Sequence, residues 1–332
     1  MLARDEADQI LTRVREAGAE GDLIIDQGQA LSLKAKDGEL EEHKVTSSQV
    51  FGLRVIKDGR VGTAYSEAAD LESLQALVQQ ALQNASYAAV EANEKIQPNT
   101  SQLKTDDGLL CPDDTVAIDA KIDLALEIEA TLSAKPKVKN VPYNGVQDSL
   151  GERQLFSTAG LSAVSRARTT ACFAYALLEE GENNAMEGLG QVARQFSELQ
   201  SSRLVDSVYQ NALDMLAGKE IASGRYDVIF DEEMLPSLFQ VFGMMFSGKS
   251  AKDGVNPMRD KIGSMIADPR LTLRDNPLAT TGFGYALFDD EGTPTQNLNL
   301  IEQGQLTSLI HNSMTGSHFG LQSTGHGTRG PR

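Results

Sequence analysis

One stretch of this 332-residue chain has the spacing of a nucleotide-binding loop. Residues 243–250 read GMMFSGKS and satisfy the pattern G-x-x-x-x-G-K-[ST], in which backbone amides and a lysine surround phosphate groups. Residues 286–291, ALFDDE, are apolar and then acidic, which is typical of a strand whose carboxylates hold magnesium. A P-loop-type nucleotide-binding protein is therefore one alternative that the residues raise.

The surroundings of this motif favour a structural role. A phosphate-binding loop leaves a strand directly and opens a helix, whereas about a dozen residues separate the apolar run 225–230 from Gly243. Residues 244–246 also continue a helical apolar face that begins at Leu235. We expect the motif to lie at the end of a helix, and nucleotide binding stays an alternative.

The spacing of the four histidines gives no metal-binding helix. None of them lies in an H-E-x-x-H arrangement, which would place two imidazoles on one helical face beside a general base. His311, His318 and His326 fall in a Gly- and Ser-rich stretch without a neighbouring carboxylate or thiolate, so we expect surface or turn histidines. No metal and no other cofactor is predicted in this chain.

The residues also give little support to nucleophilic chemistry. The chain has no G-x-S-x-G sequence, and its two cysteines have no histidine nearby. The consecutive acids Asp289, Asp290 and Glu291 could act as a general acid or base. Because Gly292 follows them, they resemble first the polar end of a strand that enters a turn. No catalytic residue is predicted from these patterns.

Composition limits the partners and the size of the fold. Asp and Glu total 47 against 30 for Lys and Arg, and the resulting net charge of −17 would repel a phosphate backbone, so no nucleic-acid partner is expected. Hydrophobic residues make up 40% of the chain and tryptophan is absent, which indicates a globular protein with an aliphatic core. A chain of this length exceeds the usual size of one core, so two domains are expected.

Cysteine usage and the apolar runs predict the compartment. Cys111 and Cys172 are too few for a disulfide framework in a chain of this length, which favours a reducing compartment. The first residues, MLARDEADQI, are charged where a signal peptide is apolar, and no segment approaches the ~18 consecutive apolar residues of a membrane span. We expect a cytoplasmic protein with no membrane partner.

Hydrophobic periodicity predicts an α+β fold with antiparallel sheets and flanking helices. Helical spacing covers residues 5–19, 70–85, 115–132, 202–216 and 235–246. Strands are predicted within residues 22–64, 138–176, 225–230 and 282–309, with turns at Asp37-Gly38, Asp58-Gly59, residues 291–294 and Gln303-Gly304. A polar linker spans residues 91–114. The predicted domains are residues 1–220 and residues 221–332.

An ordered series of short motifs in the C-terminal third resembles the TldD/PmbA family of peptidases, which includes proteins described as modulators of DNA gyrase. The motifs are RDNPL (274–278), GFG (282–284), FDDEGTPT (288–295), LIEQGQL (300–306) and LQSTGHGTRG (321–330). The arrangement of helix and meander near the N-terminus is similar as well, so the resemblance covers nearly the whole chain. Against the family's pattern, the chain is expected to lack a C-terminal part, because relatives continue beyond the last motif.

The resemblance implies a division of labour between two subunits. TldD-type members carry H-E-x-x-x-H, which supplies zinc ligands and a general base, on the helix that follows the strand equivalent to residues 225–230. Here the counterpart, residues 240–245, reads QVFGMM, and these side chains suit neither zinc nor proton transfer. The chain therefore resembles the PmbA branch, also called TldE, whose members pair with a TldD-type subunit in a peptide-processing metalloprotease.

On this basis the zinc is expected on the partner subunit, and an unfolded or extended peptide is the expected substrate. A self-associating peptide-binding homodimer without catalysis is the remaining alternative. Candidate contacts to the peptide or the partner are the residues that match family motifs in turn-forming sequence. They are Asp289, Asp290, Glu291, Gly292, Ser323, Thr324 and Gly325.

Overall fold

A long antiparallel sheet dominates the computed structural model, which describes residues 2–98 and 103–332. Its strands are β1 (Glu20–Lys36), β2 (Glu39–Lys57), β3 (Arg60–Ser66), β4 (Val138–Ser157), β5 (Ser162–Glu180) and β6 (Asn183–Ala193). The spatial order is β3-β2-β1-β4-β5-β6, so β1 joins the two meanders. Asp37-Gly38 and Asp58-Gly59 have positive φ and close the first two hairpins as predicted.

Helices pack on this sheet at positions that periodicity predicted. They are α1 (Leu2–Glu16), α2 (Leu71–Tyr87), α4 (Ile118–Ser133) and α5 (Ser201–Leu216), whereas the one-turn α3 (Asp107–Leu110) lies in the predicted polar linker. Asp70 caps α2, because its side chain accepts a hydrogen bond from the Ser73 amide at 2.9 Å. The predicted α+β class is therefore confirmed. Residues 99–102 of the predicted polar linker lie outside the described residues.

The helices bury one face of the sheet at both ends of its long strands. Near the start of β1, Leu23 and Ile25 belong to a core formed with α1 and α2. Near the end of β1, Leu33 belongs to a second core formed with α4 and α5. Since β1 alternates with a period of two, these three side chains lie on the same face.

Between the two cores this face is polar. A trough of about 440 Å³ crosses β2, β1 and β4, and its lining includes Gln27, Gln29, Ser47, Gln49 and Glu152. The opposite face of the same strands is covered by the C-terminal region, where Phe288 packs against a small cluster that contains Ile24 and Leu155. Both faces of the sheet are thus used, one by helices and the other by the C-terminal region.

The C-terminal region contains short elements around a small core of its own. The elements are α6 (Leu235–Val241), α7 (Gly248–Lys252), β7 (Leu273–Asp275), β8 (Leu298–Glu302), β9 (Gln305–Leu306) and α8 (Ser313–His318). Phe246, Ile301 and Leu306 belong to this core. The turn predicted at Gln303-Gly304 is confirmed between β8 and β9, and both residues have positive φ.

The strands differ from the sequence expectations in several places. β6 was not predicted, because Gly188 and Gly190 lower its strand propensity. The strand predicted at residues 225–230 does not form: the segment has no ladder partner among the described residues, and Ile229 is 97% exposed. The strands predicted around residues 291–294 reduce to a single bridge between Phe288 and Pro294, although the turn itself is present.

The predicted helix at residues 235–246 is also shorter than expected. It ends at Val241 and is followed by a 3₁₀ turn at Gly243–Phe246. Its predicted apolar face is not a buried one, since Leu235 and Phe242 are exposed and only Phe246 reaches the core. Within the described residues no helix is long and apolar enough to cross a membrane. Cys111 and Cys172 are both free thiols.

Candidate functional site

The predicted acidic turn lies at the junction of the C-terminal region and the large sheet. Asp289 closes the turn: its Oδ1 accepts hydrogen bonds from the amides of Glu291 at 3.0 Å and Thr293 at 2.8 Å, and its Oδ2 accepts from the Gly327 amide at 2.7 Å. Gly292 completes the turn with a φ of 75°. Burial raises the pKa of Asp289 to about 6. This carboxyl group is engaged within the fold.

Asp290 connects the turn to two distant parts of the chain. Its Oδ1 accepts from Arg153 Nη1 at 2.6 Å, and its Oδ2 accepts from the Arg329 amide at 2.8 Å. Arg153 also forms a two-pronged pair with Asp26 of β1 at 2.8 and 2.7 Å. These hydrogen bonds, first the one to Asp26, raise the pKa of Arg153. Asp290 therefore fastens the turn to the sheet.

Glu291, the third acid, is only 7% exposed. Its Oε2 accepts a hydrogen bond from the Ser313 amide at 2.8 Å, so it holds the first residue of α8. Its charge also acts on two neighbouring buried arginines, Arg54 and Arg329. Glu291 is thus part of a buried ionic network as well as part of the turn.

The centre of this network is Arg54 in β2. It donates to Asp22 Oδ2 at 2.6 Å and to Glu94 Oε2 at 2.9 Å, and Arg329 also pairs with Asp22. Burial raises the pKa of Glu94 and lowers the pKa of Arg329. The network joins β1, β2, the linker and the C-terminal tail that contains Arg329. Farther along the tail, Pro331 lies directly on Gly52 of β2.

The second group of predicted contacts, Ser323 to Gly325, lies beside α8. Thr324 accepts from the His311 amide at 2.8 Å, and its Oγ1 is 2.8 Å from His326 Nδ1. Ser323 Oγ donates to the His311 carbonyl at 3.2 Å and accepts from the Gly325 amide at the same distance. These hydrogen bonds therefore hold in place residues 323–325, the strap that follows α8.

Of the histidines of this region, His318 is exposed as expected, whereas His311 and His326 differ from the expectation of surface or turn positions. His311 is 3% exposed, and burial, followed by the nearby His326, lowers its pKa. His326 Nε2 lies 2.9 Å from Asp275 Oδ2, a carboxylate that is distant in sequence. This neighbour was not predictable from the sequence because 51 residues separate the two side chains.

A polar cavity of about 370 Å³ lies where the turn, α8 and the linker meet. Its wall includes Gly292 of the turn, Ser323 of the strap, Ser313 and Ser317 of α8, and Lys95 of the linker. Ser313 is 4% exposed, and its Oγ has no hydrogen-bond partner among the residues that the structure describes. Of the seven predicted contacts, only Gly292 and Ser323 line this cavity.

Sequence reasoning missed most of the residues that hold the site. Asp22, Arg54 and Arg153 lie in strands, and Glu94 lies in the polar linker. The one available signal was the alternation of Asp22, Ile24 and Asp26, which marks a sheet face with both charged and apolar side chains. That alternation does not reveal which distant segment covers the face.

The P-loop alternative is not favoured by the local structure. Gly243–Phe246 is a 3₁₀ turn, and α7 has only five residues. The Gly248 amide donates to the Ile310 carbonyl at 2.9 Å, and Lys249 pairs with Asp253 of the same helix. One amide that would bind phosphates is therefore already used within the protein, and the lysine lies on an exposed helix surface beside a carboxylate.

The sequence resemblance equates α6 and the 3₁₀ turn after it with the zinc-binding helix of TldD-type proteins, and these residues offer no suitable donor set. Gln240 presents an amide and Val241 a hydrocarbon, and Met245 presents a thioether, which is a poor ligand for catalytic zinc. In the described part of the chain, no group of three or more His, Cys, Asp or Glu side chains is placed to hold a metal ion. These residues do not fit zinc.

The structure is that of a mixed α and β protein whose long antiparallel sheet is covered on one face by the C-terminal region. Three domain models of one metallopeptidase family match it: PmbA/TldA metallopeptidase domain 1 at residues 21–85, the central domain at 111–216 and the C-terminal domain at 223–332. Together they cover most of the sequence. The chain belongs to the PmbA/TldD family.

Relatives by sequence carry both family names. Metalloprotease PmbA of Escherichia coli O157:H7 is 25% identical over 317 residues, which are 93% of this chain and 69% of that protein. A metalloprotease PmbA homologue of Haemophilus influenzae is 23% identical over 94% of this chain and 70% of that protein. A metalloprotease TldD homologue of Buchnera aphidicola is 30% identical, but over only 36% of this chain and 25% of that protein.

Solved structures confirm the fold. A Thermotoga maritima protein, described as a proposed modulator of DNA gyrase, superposes with a TM-score of 0.86 at 22% identity and covers 98% of this chain and 75% of that one. TldE from Thermococcus kodakarensis superposes with a TM-score of 0.78 at 18% identity, with 98% and 74% covered. At these identities the likeness concerns the fold alone.

Proposed function

We propose that this chain is a PmbA/TldE-like subunit of a peptide-processing metalloprotease and does not itself bind the catalytic zinc. The observation that carries the proposal is the donor set on α6 and the turn after it, where Gln240, Val241 and Met245 replace the side chains that would bind zinc and activate water. Membership of a metallopeptidase family supports the peptidase role.

In this proposal the bond is broken on a TldD-type partner, and this chain helps to hold the substrate as an extended peptide. Main-chain pairing at a strand edge binds peptides with little dependence on sequence. The large sheet presents two edge strands, β3 and β6, and the polar cavity lies beside the acidic turn. The two free cysteines suit the reducing cytoplasm, where we place the protein.

The test is reconstitution with the TldD-type protein of the same organism. Both chains are expressed separately and together, and the cleavage of an unstructured peptide is followed with and without a zinc chelator. We expect each chain alone to be inactive, and the co-purified pair to cleave the peptide until chelator is added. Full activity of the partner alone, or chelator-sensitive cleavage by this chain alone, would overturn the proposal.

The variant Gln240→His is a useful control for the same experiment. One imidazole cannot form a catalytic zinc site, so this variant should assemble with the partner and support cleavage as the wild type does. If the two chains do not associate and this chain forms a stable homodimer that retains peptide, the self-associating alternative replaces the proposal.

A further inference from the structure

The large sheet ends in two edge strands, and β3 is the protected one. The Thr63 carbonyl of β3 accepts a hydrogen bond from the Asn84 side chain of α2 at 2.8 Å. At the start of the strand, Arg60 forms an antiparallel bridge with Val90, which follows α2. The edge of β3 is therefore already occupied by groups of the same chain.

The other edge strand, β6, has no such protection. It runs for 11 residues in regular register with β5. In the described part of the chain, no main-chain hydrogen bond outside that ladder involves residues 184–192. Edge strands are usually blocked by a lysine, a proline or a bulge, and β6 contains none of these. A long edge of this kind can pair with another strand.

One residue of β6 is a glycine that the surrounding fold does not require. Gly190 has no positive φ, and an added Cβ would lie 3.6 Å from the Phe173 Cβ, which is an ordinary contact. Glycine weakens the interior of a strand, and it is typical of places where another backbone approaches closely. Gly190 is also exposed, so such an approach is open.

A groove of about 460 Å³ lies along the same edge. Its lining includes the four consecutive residues Leu189–Val192. Because neighbouring residues of a strand point to opposite faces, a cavity that touches all four lies beside the strand. The opposite wall is formed by the first turns of α5 and the turn before it. The groove is large enough for a short extended segment of peptide.

The charges around this groove favour a basic occupant. Glu187 of β6 lies on the same face as Leu189, which packs in the core with α5. Glu198 and Glu233 line the groove, and Arg203 is the one cation among the lining residues that the structure describes. Glu198 stands just before α5 and offsets the positive end of that helix. A second copy, with the same glutamates and a net charge of −17, would be repelled.

We propose that the free edge of β6 pairs with an extended peptide that carries Lys or Arg side chains. This inference rests on the proposed peptide-processing function, and it adds the binding edge and the charge preference of the peptide. The peptide main chain continues the sheet beside Gly190, and its basic side chains lie near Glu187 and Glu198. Main-chain pairing supplies the affinity, and the carboxylates select the charge.

The main-chain pairing is tested with two fluorescein-labelled peptides that have the same side chains. Both alternate Thr and Lys, and one carries consecutive N-methylated amides at its centre, so that neither of its edges can pair there. Binding to the full chain is measured by fluorescence anisotropy. We expect the N-methylated peptide to bind about tenfold more weakly, because several main-chain hydrogen bonds are lost.

Hydrogen–deuterium exchange locates the bound peptide on the sheet. With the unmodified peptide at saturation, uptake should become slower at residues 183–193 of β6. Residues 60–66 of β3 are the internal control, and their uptake should not change, because that edge is already covered.

The charge preference is tested with a pair of variants that remove the same charge from different places. Glu187→Gln should weaken binding of the Thr/Lys peptide about threefold, as expected for one exposed ion pair. Glu72→Gln changes an exposed acid on α2 and lowers the net charge equally, so it reports the general field of the protein. Its binding should match that of the wild type.

Each contrary result has a defined meaning. Absence of binding, equal binding of the two peptides, protection away from β6, or equal effects of the two glutamine variants would overturn the proposal. Protection of residues 183–193 that grows with protein concentration in the free chain would also overturn it, by showing a second copy on this edge. The reconstituted cleavage assay decides the proposed function separately, so the two failures are distinguishable.

Discussion

At the scale of single residues, the ion pairs of the junction link segments that are far apart in sequence. Arg54 neutralises Asp22 of β1 and Glu94 of the linker, and these three side chains are between 8% and 17% exposed. Charges in such a setting are stable only while they remain paired, because water no longer solvates them. The stability of the junction should therefore depend strongly on this arginine.

We expect Arg54→Met to lower the free energy of unfolding by about 3–5 kcal/mol, since it leaves Asp22 and Glu94 buried with less compensation. Urea denaturation followed by circular dichroism measures the change. Arg270→Met is the matched control, because Arg270 is 90% exposed and pairs only with the nearby Asp268 among the described residues. Equal effects of the two variants would contradict the role given to Arg54.

The pH dependence of stability should reveal Asp289. Burial raises its pKa to about 6 in the folded chain, against 3.8 ordinarily, so the folded state binds the proton more tightly than the unfolded state. The contribution of this group to stability is therefore greatest in acid and is lost as the pH rises from about 4 to about 6.

The comparison is between the wild type and Asp289→Asn, each unfolded with urea at several pH values. The wild-type free energy of unfolding minus that of the variant should fall by about 3 kcal/mol across this range, since each pKa unit corresponds to about 1.4 kcal/mol. Altered hydrogen bonds in the variant add a constant difference, which does not affect the slope. Parallel profiles would show that Asp289 does not titrate in this window.

At the scale of elements, local patterns predicted the N-terminal region well. The helices α1, α2, α4 and α5 and the two Asp-Gly hairpins depend on periodicity and turn chemistry, which are properties of neighbouring residues. The segment at 225–230 has equally strong apolar character but forms no strand, because a strand also needs a neighbour in the sheet. Strand propensity alone does not supply that neighbour.

The candidate site was predictable only in part, for a related reason. The turn is a local feature: it was predicted at residues 291–294, and the structure has it two residues earlier, at 289–292. Its partners Arg153, Gly327 and Ser313 come from other elements, and nothing near the turn in sequence identifies them. Motif resemblance assigned a contact role to the acids, and their internal hydrogen bonds leave that role untested.

The contact between Gly52 of β2 and the C-terminal tail gives a prediction at this scale. A Cβ at Gly52 would lie 2.2 Å from the Pro331 carbonyl oxygen, so the tail can lie on the strand only while residue 52 is glycine. We expect Gly52→Ala to displace the tail and to lower the free energy of unfolding by about 1–3 kcal/mol.

Carboxypeptidase digestion followed by mass spectrometry measures the displacement, since a released tail is trimmed faster. Gly243→Ala is the control: nothing lies within 4 Å of an added Cβ there, and no positive φ is present. The tail should stay protected in this control. Equal trimming of both variants would contradict the contact between the tail and β2.

At the scale of the whole molecule, the large sheet is a single hydrogen-bonded unit that serves two separate cores. The junction with the C-terminal region is fastened to one end of it, through Asp22, Arg54 and Arg153. The match to a metallopeptidase family and the superposition on solved structures both concern the chain as a whole. No single strand or helix indicates peptide processing. Whether residue 220 separates two domains stays a prediction from the sequence.

The polar trough between the two cores has a mechanical consequence. Along β1, the amides near Leu23 and Leu33 lie under packed helices, whereas those near Gln27 and Gln29 lie beside the trough. Local opening should therefore be easier in the middle of the strand than at either end, the reverse of ordinary fraying. Deuterium uptake resolved along β1 should be fastest at residues 27–29. Uniform uptake would show that the whole strand opens as a single unit.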